Sequence, residues 1–142
     1  MKKATFISIF IFVFLFVSNA QQKEKIHWQF ETNKLSDKIY ELKITAYING
    51  GCQLYAPGNS STVGKPLRFQ FKNENLFKSP VDFISDPLPQ KEYNDVLMIN
   101  IEYFKGKVQF MKIIELIKQE DIHLTISGQI VDKYNSESVQ FN

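Results

Sequence analysis

The alternation of apolar and polar side chains is the feature that most constrains the fold of this 142-residue chain. Successive side chains of a β-strand point to opposite faces, so a run with period two has one apolar and one solvated face. The stretches KIHWQFET, KIYELKITAYI and PLRFQFK show this pattern. Their apolar positions are Ile26, Trp28 and Phe30, then Tyr40, Leu42, Ile44, Ala46 and Ile48, then Leu67, Phe69 and Phe71. The pattern is typical of antiparallel sheets packed on one face.

The second half of the chain continues the alternation. The runs VLMINIEYF and KVQFMKIIELI flank Lys105-Gly106-Lys107, and Gly106 can adopt the positive φ that a tight turn requires. The sequence therefore predicts a β-hairpin at this point. A further strand is predicted in IHLTISGQIV, followed by a polar turn in DKYNSES and a short final strand in VQFN.

Two segments are predicted to be long loops. Residues 49–65 are rich in Gly, Ser, Asn and Pro, and residues 85–95 contain Pro87 and Pro89, which cannot donate to a strand ladder. Long connections are where binding residues concentrate. Seven or eight short strands separated by turns predict an all-β fold, a single-domain immunoglobulin-like antiparallel β-sandwich, with a small closed barrel as the alternative.

The N-terminus has the layout of a secretory signal peptide, which we predict over residues 1–20. Lys2 and Lys3 give a short positive region, residues 4–17 form an apolar run, and Ser18-Asn19-Ala20 supplies the small residues of a cleavage site. The run is shorter than the roughly 20 residues that a membrane-spanning helix needs. The mature domain is therefore expected to cover residues 21–142, without a membrane anchor, in the periplasm or outside the cell.

The charge of the mature domain argues against two classes of partner. Without Lys2 and Lys3 the 17 basic residues of the chain fall to 15, which equals its 15 acidic residues. The sequence contains no basic stripe and no basic amphipathic helix. Neither nucleic acid nor a membrane surface is therefore predicted as a partner.

Histidines and serines form no recognisable catalytic or metal-binding motif. His27 and His123, the only histidines, occupy polar positions of separate strands and do not have zinc-site spacing. Ser60 and Ser61 lack the glycine pattern of a nucleophile elbow. The sequence predicts neither a metal ion nor another cofactor.

Four carboxylates cluster around the proline-containing segment: Asp82, Asp86, Glu92 and Asp95. Such a group could form a weak cation site or an acid–base pair. The spacing of a calcium-binding loop is missing, so a solvated loop is the favoured interpretation.

Cys52, in NGGCQLYAPG, is the only cysteine of the chain. It could be a reactive group, one half of an intermolecular disulfide, or a small apolar residue in a tight corner. A reactive thiol needs a nearby His, Lys or helix N-terminus, and a disulfide exchanger needs a second cysteine. The sequence shows neither, which favours a buried packing role and leaves Cys52 a weak catalytic candidate.

Five segments, taken in order, carry a resemblance to a known family. They are IHWQF, YELKITAYINGGCQLYAP, KPLRFQF, EYNDVLMINIEYFKGKVQFMKII and LTISGQIVDKY. Together they resemble the N-terminal periplasmic domain of the DsbD-type thiol:disulfide interchange protein, also called the disulfide bond corrector domain, in its Bacteroidetes-like version. The resemblance covers about the whole mature chain. It implies an immunoglobulin-like sandwich and a role in thiol:disulfide interchange with periplasmic partners.

The residues that would carry the exchange reaction are missing from this resemblance. The family has two cysteines on a hairpin near the C-terminus, and the corresponding segment here, GQIVDKYNSESVQF, has none. The family's cap loop shields that disulfide with an aromatic residue followed by Gly, and the equivalent positions are Leu97 and Met98. Cys52 stands where the family has a Trp. The resemblance therefore implies the scaffold without the reaction.

Three functions follow as hypotheses. The leading one is an exported periplasmic domain without redox activity that acts by contact with a periplasmic protein, which favours a non-enzymatic role. The first alternative is thiol:disulfide exchange through Cys52 alone. The second is a sandwich that binds a ligand between the loops of residues 49–65 and 85–95.

Overall fold

The computed structural model of the protein describes residues 24–134 and 137–141. The signal peptide expected over residues 1–20 lies outside this range and stays a prediction. Within the described residues, no helix combines the length and apolarity needed to cross a membrane.

The described residues form eleven strands and one short 3-10 helix, Glu74–Leu76. The strands are β1 (Ile26–Lys34), β2 (Ile39–Ile48), β3 (Cys52–Tyr55), β4 (Arg68–Phe71), β5 (Phe77–Lys78), β6 (Ile84–Asp86), β7 (Gln90–Asn94), β8 (Ile99–Phe104), β9 (Lys107–Leu116), β10 (Leu124–Asp132) and β11 (Glu137–Phe141).

The strands form two antiparallel sheets. The first has the order β1-β2-β9-β5, with β6 also paired to β9. The second has the order β11-β10-β3-β8-β7, with β4 also paired to β10. The all-β sandwich predicted from the alternation is therefore confirmed, and two separate sheets rule out the closed barrel.

The core lies between the two sheets, and the alternate residues of β2 that were predicted to be apolar and buried contribute to it. Its most buried members come from β2, β3, β8, β9 and β10 and the segments beside them: Ile44, Ala46, Ile48, Cys52, Leu54, Ala56, Leu67, Phe104, Val108, Phe110 and Ile130. Phe30 departs from the pattern. It was expected on the apolar face of β1 yet is 61 % exposed, because β1 is an edge strand of the first sheet.

The hairpin predicted at Lys105-Gly106-Lys107 is wrong, although Gly106 does adopt a positive φ of 66°. β8 pairs with β3 and β7 in the second sheet, whereas β9 pairs with β2 in the first. The turn therefore crosses from one sheet to the other. Its local residues cannot specify this, because the partner of each strand is far away in sequence. The polar turn before the last strand does form a hairpin, in which Asp132 faces Glu137.

The two segments predicted as long loops contain short strands. β3 lies within residues 49–65, and β7 lies within residues 85–95 together with the end of β6. The prolines still act as expected, since β6 ends just before Pro87 and β7 begins just after Pro89. β3, β5, β6 and β7 have only two to five residues each and lie beside turn-forming residues, which is why the sequence predicted seven or eight strands.

Candidate functional site

Cys52 is the first residue of β3, and its side chain is 4 % exposed within the core. It faces Asp132 of β10 in the antiparallel register. Asp132 lies 3.7 Å from the Lys25 ammonium, and both of these side chains are largely buried. A thiol exchanges with a disulfide only if its sulfur can be reached. The burial favoured from the sequence is therefore present, and this geometry keeps the sulfur from solvent.

The corner before Cys52 is covered by an aromatic ring. Gly51 has a φ of 84°, and a Cβ at this position would overlap the ring of Tyr134. Tyr134 therefore packs directly on the Gly51 backbone from the turn between β10 and β11. Lys133 N in the same turn donates to Gly51 O (2.9 Å). The turn and the cysteine corner thus form one packed unit.

Leu97 and Met98, which the resemblance places at the family's cap-loop positions, lie in the turn between β7 and β8. The Asn94 side-chain oxygen accepts hydrogen bonds from Val96 N (3.0 Å) and Leu97 N (2.9 Å), and Met98 has a φ of 56°. Val96 is 90 % exposed and Met98 70 %, so the turn presents an apolar tip to solvent.

An ion pair joins β7 to the turn after β10. Glu92 on β7 and Lys133 lie 3.7 Å apart, and both side chains are about half exposed. β3 and β8 separate these elements in the sheet order, so the pair spans the face of the second sheet. Burial raises the pKa of Tyr55 on β3, and the Glu92 carboxylate raises that pKa further.

The four carboxylates around the prolines are divided between the two sheets, and the weak cation site that they could have formed is not assembled. Asp82 precedes β6 and lies 3.8 Å from the Lys112 ammonium, whereas Glu92 pairs with Lys133. Asp86 is on β6 and Asp95 is in the β7–β8 turn. The arrangement does not bring the four together as a cation site.

The remaining sequence candidates are also separate. His27 on β1 is exposed and lies 4.0 Å from the Glu24 carboxylate, and His123 is exposed just before β10. The Ser60 hydroxyl bonds to that of Thr62 (2.9 Å). Across residues 24–134 and 137–141, no three His, Cys, Asp or Glu side chains are placed to hold a metal ion.

A cavity of about 420 Å³ lies between the two loop segments singled out in the sequence. Pro57 and Gly58 line it from one segment, and Ser85 and Pro89 line it from the other. Its floor is aromatic, formed by Phe69, Phe83, Phe104 and Phe110, and its polar lining includes Arg68, Asp82 and Glu102. An aromatic floor bordered by charged groups of both signs suits a small ligand with an apolar body.

Asn59 directly follows Gly58, which lines this cavity. Its side-chain nitrogen donates to Glu102 O (2.5 Å), and its side-chain oxygen accepts from Glu102 N (2.7 Å). Asn59 thereby continues the strand ladder past the end of β3. The Glu102 carboxylate in turn pairs with Lys91 (2.9 Å). Nothing in the composition of the loop distinguishes this asparagine from the others.

A groove lies on the opposite side of the sandwich, and no pattern in the sequence predicted it. It runs between β1 of the first sheet and β10 of the second, in two adjoining parts of about 610 and 1040 Å³. Phe30 and Leu124 line both parts. The exposure of Phe30 on an apolar strand face marks this groove, and it becomes visible only when the sheets are assembled.

Comparison with known proteins supports the fold. No family model matches the chain, and no curated protein matches it. Its structure is similar to the crystal structure of the N-terminal periplasmic domain of ScsB from Proteus mirabilis, with a TM-score of 0.57 and 12 % sequence identity. The similarity covers 83 % of this chain and 44 % of that chain. At this identity the likeness shows the fold alone.

Proposed function

We propose that this chain is an exported β-sandwich domain of the DsbD type that binds another periplasmic protein and does not exchange disulfides. The burial of the only cysteine is the observation that carries the proposal, since Cys52 is 4 % exposed. The fold likeness to a periplasmic domain supports the compartment.

The burial of Cys52 and the lack of a second cysteine in the chain both oppose disulfide exchange. Release of a mixed disulfide needs a second, resolving thiol, and this chain has one cysteine. The turn after β10, where the resemblance expects a cysteine pair, instead contributes Lys133 to an ion pair and Tyr134 to the cover over Gly51. A contact role fits the exposed apolar tip at residues 96–98.

Thiol accessibility tests the first half of the proposal. We expect an aromatic disulfide reagent to label Cys52 slowly in the native protein and completely in denaturant. We also expect insulin reduction at the rate of the blank, unchanged in Cys52→Ser. Rapid native labelling together with Cys52-dependent insulin reduction would establish the exchange alternative instead.

Site-specific cross-linking tests the second half. A photoreactive amino acid replaces Leu97 in the apolar tip, and a matched control replaces Ile113, which is also exposed but lies on β9 of the first sheet. We expect a defined periplasmic adduct from position 97 and none from position 113. Identical adduct patterns from the two positions would count against contact through the tip.

The cavity between residues 49–65 and 85–95 supports a second candidate function, binding of a small ligand. Benzylamine is a suitable probe, because its ring matches the aromatic floor and its ammonium group matches the carboxylates. Glu102→Gln removes one charge from the lining and is expected to weaken benzylamine binding in an NMR titration. Equal binding to both proteins, or none to either, would remove this candidate.

A further inference from the structure

We infer that the groove between β1 and β10 binds an extended segment of a partner protein, which adds as a strand to the uncovered edge of β10. This inference rests on the proposed role in protein contact, and it names the site and the chemistry of the partner segment. The groove offers three things to such a segment: an open main-chain edge, apolar walls and a charged end.

Two backbone hydrogen bonds identify the edges of β10. Lys133 N donates to Gly51 O, just before β3 (2.9 Å), and Lys72 N, just after β4, donates to His123 O (3.0 Å). Successive residues of a strand turn their main-chain N–H and C=O groups to opposite edges. His123 and Lys133 are an even number of positions apart, so their main-chain groups point to the same edge of β10. β3 and β4 therefore share one edge of β10, and β11 lies on the other.

The edge that carries β11 is only partly covered. β11 pairs with Gly128–Asp132 and ends at Phe141. On this edge none of the described residues pairs with Leu124–Ser127. By the same alternation, Leu124 and Ile126 turn their N–H and C=O groups toward it. An open strand edge of this kind accepts a further strand through main-chain hydrogen bonds.

The side chains beside this edge suit a strand with alternating apolar residues. Trp28 and Phe30 of β1 face Leu124 and Ile126 across the groove, with Phe141 beside them. Phe30 is 61 % exposed on an edge strand, where large apolar side chains are usually protected. An inserted strand would bury these rings on one of its faces.

The charges at one end of the groove define the end of the partner segment. Glu31, Glu120 and Asp121 line this end, opposed by Lys43 alone among the charged lining residues that the structure describes. A strand that continues the line of β11 runs antiparallel to β10, so its C-terminal end lies beside Leu124 and these carboxylates. The partner segment is therefore extended, alternately apolar, and basic at its C-terminal end.

A synthetic peptide tests the inference on the intact mature protein. The probe is fluorescein-labelled Val-Thr-Val-Thr-Val-Lys with an amidated C-terminus, measured by fluorescence anisotropy. We expect saturable binding, with slower amide exchange at Leu124 and Ile126. N-methylation of the peptide nitrogens that face β10, or replacement of the lysine by glutamate, is expected to weaken binding about tenfold.

Matched variants separate the groove from the general surface. Phe30→Ser is expected to weaken binding about tenfold, and Ile113→Ser, an exposed control on the outer side of β9, to change it by less than about twofold. Absence of saturable binding, or equal binding of the N-methylated peptide, would overturn the inference. Neither result bears on Cys52 labelling or on cross-linking from position 97, so failure of the groove and failure of the proposed function are distinguishable.

Discussion

Replacement of Asn59 by alanine should destabilise the domain well beyond the small change that most surface substitutions cause. Asn59 is 8 % exposed and makes two hydrogen bonds with the main chain of Glu102, beyond the last residue of β3. Ala56 N also donates to Glu102 O (2.9 Å), so that carbonyl keeps a partner in the variant. Glu102 N loses its bond to Asn59 and remains in a partly buried position.

The expected loss follows from these contacts. Each hydrogen bond contributes about 1 kcal/mol net, and leaving a partly buried N–H without a partner costs about 1 kcal/mol more. We therefore expect Asn59→Ala to lower the free energy of unfolding by about 3 kcal/mol. Asn59→Asp keeps the acceptor for Glu102 N but places a carboxylate oxygen against Glu102 O. The loss of unfolding free energy in this variant should therefore be smaller at acid pH, where the protonated carboxyl can donate a hydrogen bond to Glu102 O.

Urea denaturation of the mature domain measures these differences, with an unchanged slope as the sign of a two-state comparison. Asn33→Ala is the control, because Asn33 bonds only to the exposed Glu41 carboxylate (3.0 Å) in the described contacts, and we expect a change within about 0.5 kcal/mol. A loss below about 1 kcal/mol for Asn59→Ala would refute the idea that this side chain extends the ladder.

Three further predictions concern side chains elsewhere in the sandwich. Lys112 is 7 % exposed, and its ammonium donates a hydrogen bond to Val81 O (2.7 Å). Lys112→Ala should therefore lower the free energy of unfolding, measured in urea, by about 3 kcal/mol. Lys112→Met keeps the side-chain volume and should lower it by about 1 kcal/mol. The pKa of Tyr55 is raised, mainly by burial and further by the Glu92 carboxylate. The folded state therefore holds the phenol proton more tightly than the unfolded state does. The free energy of unfolding is undiminished below pH about 10 and falls as pH rises through the pKa of the folded state. Tyr55→Phe should remove this alkaline loss, and an unchanged alkaline profile in that variant would contradict the assignment. Gly106→Ala should lower the free energy of unfolding by about 1 kcal/mol, because Gly106 has a positive φ. Crowding should add nothing, since nothing lies within 4 Å of an added Cβ. An unchanged free energy of unfolding in urea would contradict the attribution of this loss to φ.

The sequence predicted the elements well where their signal is local. Ile44, Ala46 and Ile48, which are alternate residues of β2, lie in the core, as the alternation of apolar and polar residues indicated. β6 ends just before Pro87 and β7 begins just after Pro89, because proline has no N–H group to donate to a strand ladder. Gly106 adopts the positive φ expected of it. Each of these outcomes depends on the geometry of a few adjacent residues.

The candidate sites were less predictable, because they combine distant residues. The carboxylates near the prolines are close in sequence, yet Asp82 pairs with Lys112 on β9 and Glu92 pairs with Lys133 in the turn after β10. Asn59 acquires its role from Glu102, forty-three positions away. The exposure of Phe30 likewise depends on the neighbours of β1 and not on its own pattern.

By itself, then, the sequence determined an all-β sandwich, the inward face of its long strands, and a single cysteine suited to burial. Side-chain alternation, proline and glycine act through the local backbone, so these features are readable along the chain. Tertiary structure decided which strands pair on either side of the Gly106 turn, how the loops close a cavity, and which edge of β10 the described residues leave without a paired strand. Those outcomes depend on competition between strand partners far apart in sequence, which no local pattern encodes.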